Sequence, residues 1–274
     1  CNSATNVIAS AFLKGAMSAG AETENIFLGD YHITQCQGCF ACWFKTPGKC
    51  AMQDDMAQLL QKYNESDIVC FATPVYTWNM TALLKNFVDR LAPLKSPKIK
   101  AENGNFDLQD SKAKTQKFVI ISNCGFPGEN NFDVLRAAVA CCNPSLEIYR
   151  NCGKLLKSKK PEIAKTVDRW LNVVEQAGKE MTIQGKISEI TAKDLNMSLI
   201  TVCTAQSAKV YNSRGAYSKK PGSQQLSYVF PIASIDAVGA GLTRANPQIT
   251  DGEATCDIHT LLSKDQEYLD YDQK

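Results

Sequence analysis

The chain has 274 residues and a formal net charge of +2, with 44% hydrophobic and 21% charged residues. That balance is globular, and a charge so near neutral argues against a nucleic-acid surface. No apolar run approaches the roughly 18–20 residues of a membrane span and no basic-then-apolar leader is visible, so the chain reads as soluble, unexported and cytoplasmic. The length suits one domain plus an extension. Twelve cysteines, four of them clustered, favour reduced thiols or a metal site over a disulfide framework in a chain this long.

Residues 1–6 are small and hydroxyl-rich and lead into a helix with Val7, Ile8, Ala11, Phe12, Gly15 and Ala16 on one face. Ser3 or Thr5 suits its N-cap, and such a helix start offers free N–H groups to a phosphate or simply a cap. Gly20 ends the helix, and Thr23 to Leu28 reads as a strand. Residues 36–50, CQGCFACWFKTPGKC, space their cysteines C-x2-C-x2-C-x7-C. Cys36, Cys39, Cys42 and Cys50 are the four thiolates an iron–sulfur cubane needs, with the Pro47-Gly48 turn bringing Cys50 back toward the other three. Tetrahedral zinc is the other four-thiolate option, although its usual spacing is two CxxC pairs far apart. Buried structural thiols or a redox pair are the plainer readings. Asp54 and Asp55 then open a helix with Met56, Leu59, Leu60 and Tyr63 inward, their charges suiting its dipole.

The run Ile68 to Ala72 reads as a buried strand, followed by the loop Thr73-Pro74-Val75-Tyr76-Thr77-Trp78-Asn79 and a helix on Leu83, Leu84, Phe87, Val88 and Leu91. Ligands of open α/β sheets bind just beyond the carboxyl ends of the strands, where Tyr76 and Trp78 would stand as flat apolar plates. Residues 92–116, broken by Pro93, Pro97 and Gly104, read as a surface excursion over the site. Lys117 to Ser122 is the next buried strand, running into the loop Asn123-Cys124-Gly125-Phe126-Pro127-Gly128. Cys124 has no helpful basic neighbour and reads as a plain loop thiol. A helix over 132–142, a strand over 146–149, a basic connector over 154–161 and an amphipathic helix over 162–179 follow. Apolar strands alternating with helices imply a doubly wound parallel sheet with helices on both faces.

The residues resemble the flavodoxin-like NAD(P)H-dependent FMN reductases, in particular the iron–sulfur flavoprotein subgroup with its compact cysteine motif. Four segments carry the likeness: NSATNVIASAFLKGAMSAGAE (2–22), CQGCFACWFKTPGKCAMQDDM (36–56), FATPVYTWNMTALLKNFVDRL (71–91) and ISNCGFP (121–127). It covers residues 1–200 as an FMN-binding domain and leaves 201–274 as an unassigned extension. The resemblance implies an oxidoreductase in which FMN takes hydride from NAD(P)H and passes electrons to a quinone, a nitro- or azo-aromatic, or a ferredoxin-like protein. It implies that Ser3 and Thr5 hold the FMN phosphate. Pro74, Val75, Tyr76, Thr77, Trp78 and Asn79 would line one side of the ring, and Asn123, Cys124, Gly125 and Phe126 the other edge. It also implies a homodimer or homotetramer, no catalytic side chain, and a 4Fe-4S cluster on the four cysteines if they are loaded. A zinc-stabilised, non-enzymatic binding module is the rival reading.

Two departures stand out. The family opens with a strand before the position of Asn2, and its absence here leaves a gap between the segments 23–28 and 67–72. The expectation is a chain whose first strand lies upstream and which, as it stands, binds FMN poorly. In the tail, Val229 to Ile235 reads as a strand and Gly239-Ala240-Gly241 as a weak lone GxG. His259, beside Asp257 and Cys256, reads as a solitary surface histidine.

Overall fold

A computed structural model describes residues 3–102, 105–110 and 116–199. The expectations for residues 201–274, including the strand over 229–235, the glycine pair and His259, lie outside them.

The framework is a three-stranded parallel sheet in the order β1 (Ile68–Pro74), β4 (Lys117–Asn123), β5 (Leu146–Arg150). Its register runs from Ile68 opposite Lys117 to Pro74 opposite Asn123, and from Val119 opposite Leu146 to Asn123 opposite Arg150. Strand side chains alternate faces, so β4 feeds two cores. Val119 and Ile121 pack with α1 (Ala4–Ser18), α6 (Pro161–Gln184) and α7 (Glu189–Leu195). Ile120 packs on the other side with α3 (Met56–Glu65), α4 (Ala82–Asp89) and α5 (Asp133–Val139). Helices therefore cover both faces, and the fold is the flavodoxin-like doubly wound sheet expected from the sequence.

α1 and α6 meet through reciprocal glycines. A Cβ on Gly15 would lie 1.8 Å from the Glu175 carbonyl oxygen, and one on Gly178 would lie 2.0 Å from that of Phe12. Only hydrogen at both positions lets the backbones come so close.

Three expectations are corrected. The segment 23–28 is irregular up to residue 27 and then opens a short 3-10 turn, Leu28–Asp30, rather than forming a strand; it has apolar residues but no neighbouring strand to complete a ladder among the described residues. β1 is an edge strand there, pairing with β4 alone, and Ile68, Val69 and Cys70 are only half-buried where a fully buried strand was expected. Residues 92–116 are not a structureless excursion. A short 3-10 turn, Ala92–Leu94, leads into an antiparallel pair, β2 (Lys95–Glu102) with β3 (Asn105–Asp110). Its register slips between Lys95 and Ile99, where Pro97 has no N–H to offer a ladder.

Candidate functional site

The β1–α4 connection is a tight hairpin-like turn. Tyr76 N–H donates to the Asn79 carbonyl at 2.9 Å and Asn79 N–H returns to that of Tyr76 at 3.1 Å. Its two central residues, Thr77 (φ +48°) and Trp78 (φ +64°), are both left-handed. Glycine or asparagine normally occupies such positions, and a β-branched residue there is a strained outlier. The turn is fixed below by the Thr73 hydroxyl, which donates to the Pro74 carbonyl and accepts from Thr81 N–H. The Thr81 hydroxyl in turn caps α4 through Leu84 N–H. What this scaffold presents is apolar: Tyr76 is 65% exposed and Trp78 61%.

The β4–α5 loop lies beside it, joined by Val75 N–H donating to the Asn123 carbonyl at 2.8 Å. Asn123 is the hub. Its side-chain oxygen accepts from the buried Thr5 hydroxyl at 2.6 Å, and Gly153 sits so close that a Cβ would meet the Asn123 amide at 2.5 Å. Cys124 is buried, its thiol donating to the Phe126 carbonyl, and burial pushes that thiol up; it is no nucleophile at neutral pH. Phe126 is exposed.

Ser3 and Thr5 therefore differ in what they can offer. Ser3 caps α1 by accepting from Asn6 N–H at 3.1 Å, which leaves its own proton free to donate. Thr5 has spent its proton on Asn123. An incoming phosphate needs donors, and these are the Ser3 hydroxyl and the first-turn N–H groups of α1. Tyr76, Trp78 and Phe126 fit a flat aromatic ring at the other end, so the residues present suit a flavin nucleotide.

The cysteine loop is a separate construction. Gly38, Phe40 and Gly48 take positive φ, and Gly48 N–H donates to the Cys42 carbonyl at 3.0 Å, turning the chain back before Cys50. The Trp43 indole N–H pins the loop to the Ala92 carbonyl at 2.9 Å. Cys36 and Cys39 are exposed and Cys42 and Cys50 half-exposed. Burial pushes the Cys42 thiol up, and the sulfurs of Cys50, Cys39 and Cys36 push it the same way. The donor set is thus thiol only and mutually interacting. Among the described residues no group of three or more His, Cys, Asp or Glu side chains is arranged to hold a metal ion. A single zinc needs sulfurs drawn in to about 2.3 Å from one centre. Four thiols with no other donor are the ligand set of a multi-iron cluster.

Beneath the loop lies a feature that the residue pattern did not disclose. Arg90, at the C-terminus of α4, and Asp54, just before α3, form a bidentate ion pair at 2.7 and 3.0 Å, with side chains 1% and 0% exposed. Asp54 also accepts from the backbone N–H groups of Thr34 and Met56, and Arg90 donates to the Thr34 carbonyl. Burial alone would push the Asp54 carboxyl up, but Arg90 and the two N–H groups outweigh it and hold it far below the usual carboxylate range. Asp54 is therefore a structural anion rather than only a dipole partner for α3. The cysteine loop and the aromatic turn stand at opposite ends of α4, whose eight residues span about 12 Å.

Residues 1–109 match the model of the NADPH-dependent FMN reductase family. The chain is 39% identical over 95 residues to an iron–sulfur flavoprotein of Archaeoglobus fulgidus, an alignment covering 34% of this chain and 42% of that protein. It is 36% identical over 91 residues to an iron–sulfur flavoprotein of Methanocaldococcus jannaschii, covering 33% and 46%. The chain spans under half the length of both relatives. Among solved structures, a NAD(P)H:quinone oxidoreductase from Methanothermobacter marburgensis aligns with a TM-score of 0.47 and 14% identity, over 66% of this chain and 89% of that one. An FMN-dependent NADH-azoreductase from Bacillus anthracis aligns with a TM-score of 0.45 and 13% identity, over 66% and 92%. No described helix is long and apolar enough to cross a membrane.

Proposed function

We propose that the chain is an FMN-dependent oxidoreductase that moves electrons from NAD(P)H through the flavin to a small acceptor such as a quinone or a nitro- or azo-aromatic. The observation that carries the reading is the pair Tyr76 and Trp78, held exposed by a strained turn that the Tyr76–Asn79 hydrogen bonds close at the carboxyl end of β1. The family match of residues 1–109 supports it. Bound FMN supplies hydride and electron transfer, and the protein supplies position. Tyr76 and Trp78 stack on one side of the ring. Phe126 and the backbone of Asn123–Gly125 border its other edge. The Ser3 hydroxyl and the α1 amides hold the phosphate, with Thr5 and Asn123 tying that helix start to the ring loop.

The test is FMN titration by fluorescence quenching. Trp78→Ala and Tyr76→Ala should each weaken FMN binding about tenfold, in line with ~1–3 kcal/mol for a base stacked on an aromatic side chain. An unchanged dissociation constant in both variants would sink the reading. Ser3→Ala should weaken FMN but not riboflavin, which lacks the phosphate.

A second reading is favoured by the shared field of the four cysteines around Cys42. With a 4Fe-4S cluster on Cys36, Cys39, Cys42 and Cys50, the protein relays single electrons between a ferredoxin-like partner and FMN, across the length of α4. Anaerobic reconstitution should then add a broad visible absorbance that dithionite bleaches. Zinc content without flavin would favour the binding-module alternative instead.

A further inference from the structure

We propose that Arg90 is the positioning residue of the four-cysteine loop: its buried fork closes the loop's two stems onto each other and presents a fixed positive charge to Cys50. This rests on the reading of the cysteines as one ligand set.

The loop leaves the body of the protein at Thr34 and rejoins it at Asp54, and one guanidinium holds both points. Thr34 is gripped twice, its N–H by the Asp54 carboxylate at 2.8 Å and its carbonyl by Arg90 at 2.5 Å. The same guanidinium faces the Cys50 sulfur. Its Nε–H, buried with the rest of the side chain, has no hydrogen-bond partner among the described residues and is a donor left over beneath the loop.

A buried ion pair is costly to form and rarely repays itself in stability alone, so its place here calls for another reason. Closing a long loop of turns and glycines costs chain entropy, and a rigid two-pronged contact at the neck offsets that cost once for all four thiols. The planar fork reaches Asp54 with two nitrogens at once, which a lysine ammonium cannot do. Four thiolates gathered in one place repel one another, and a fixed cation beside Cys50 relieves that repulsion. When a cluster on these thiols gains an electron the site becomes more negative, so the same cation favours the reduced form.

The experiment compares the wild-type chain with Arg90→Lys, Arg90→Met and the charge-balanced double variant Arg90→Met/Asp54→Leu, which removes the pair without leaving an orphaned buried charge. Hydrogen exchange is read without iron first. The amides of residues 36–50 should exchange at least tenfold faster in both Met variants, with those of β4 unchanged and Arg90→Lys between the two. A folded double variant whose loop stays as protected as wild type overturns the proposal. All four are then reconstituted anaerobically with ferrous iron and sulfide. Iron content should fall in the order wild type, Arg90→Lys, Arg90→Met, and the cluster midpoint potential should be more negative in Arg90→Met than in Arg90→Lys. Equal potentials in those two overturn the electrostatic half. If the wild type takes up no iron, the cluster reading fails, and the exchange data still decide whether Arg90 clamps the loop.

Discussion

Thr77 and Trp78 adopt left-handed backbone without being glycine or asparagine, and such residues store about 1–3 kcal/mol that the surrounding structure must hold in place. Replacing Thr77 with glycine should therefore raise stability by about 1 kcal/mol, read as a higher urea midpoint with an unchanged slope. The placement of Tyr76 and Trp78 was legible, because aromatic residues after an apolar strand and before an amphipathic helix have few other reasons to be there. The strain was not, since nothing in a Thr-Trp pair announces a positive φ. The Arg90–Asp54 pair was equally hidden. An arginine at the end of a helix and an aspartate at the start of another each suit a solvated terminus, and only the tertiary approach of α3 and α4 puts them in contact. Thr5 is set by another tertiary contact, between the start of α1 and the end of β4. Its hydroxyl sits at the expected helix start, yet its proton is committed to Asn123.

Among the elements, the helices and the strands of the main sheet follow their apolar periodicity closely, and α1 is capped by Ser3 as its sequence suggests. The misread segments are those whose structure depends on a partner. Residues 23–28 have strand-like composition but no neighbouring ladder among the described residues, and β2 with β3 have loop-like composition but find each other. Gly15 was legible as part of the buried face of α1, whereas Gly178 gave no signal, because a glycine within a long helix is uninformative until the opposing backbone is known. Gly178→Ala should destabilise the chain by about 1–3 kcal/mol, as overpacking of a close helix crossing does, seen as a lower urea midpoint. The same change on an exposed helix face should stabilise slightly.

For the molecule as a whole, two depressed carboxylates among the described residues shape the response to acid, one on each side of the sheet. Asp54 is held by Arg90. Glu180, on α6, overcomes its burial by accepting from Gln176, from the Ser188 N–H at 2.7 Å and from the Thr191 hydroxyl at 2.9 Å, so that it also fastens α7. Both pKa values lie lower in the folded chain than in the unfolded one, where they are about 4. Their contribution is fully present above that value and is lost as pH falls through the lower folded values, because the unfolded chain binds protons first. Stability should therefore decline below about pH 5, and Asp54→Asn combined with Glu180→Gln should flatten that decline in urea titrations at pH 3 to 6, from a lower starting stability at pH 7.

The reciprocal glycines of α1 and α6 bear on how the chain is made. α1, which carries the candidate phosphate end of the site, leaves the ribosome well before its packing partner, which follows on the order of 10 s later. Until α6 emerges, the apolar face around Ile8, Phe12 and Ala16 lacks the cover of Trp170, Val174 and Ala177. During synthesis the aromatic turn and the cysteine loop are thus complete before the helix start beside them is seated. A nascent chain arrested before α6 should be a target for trigger-factor-like holdases, and one arrested after it should not.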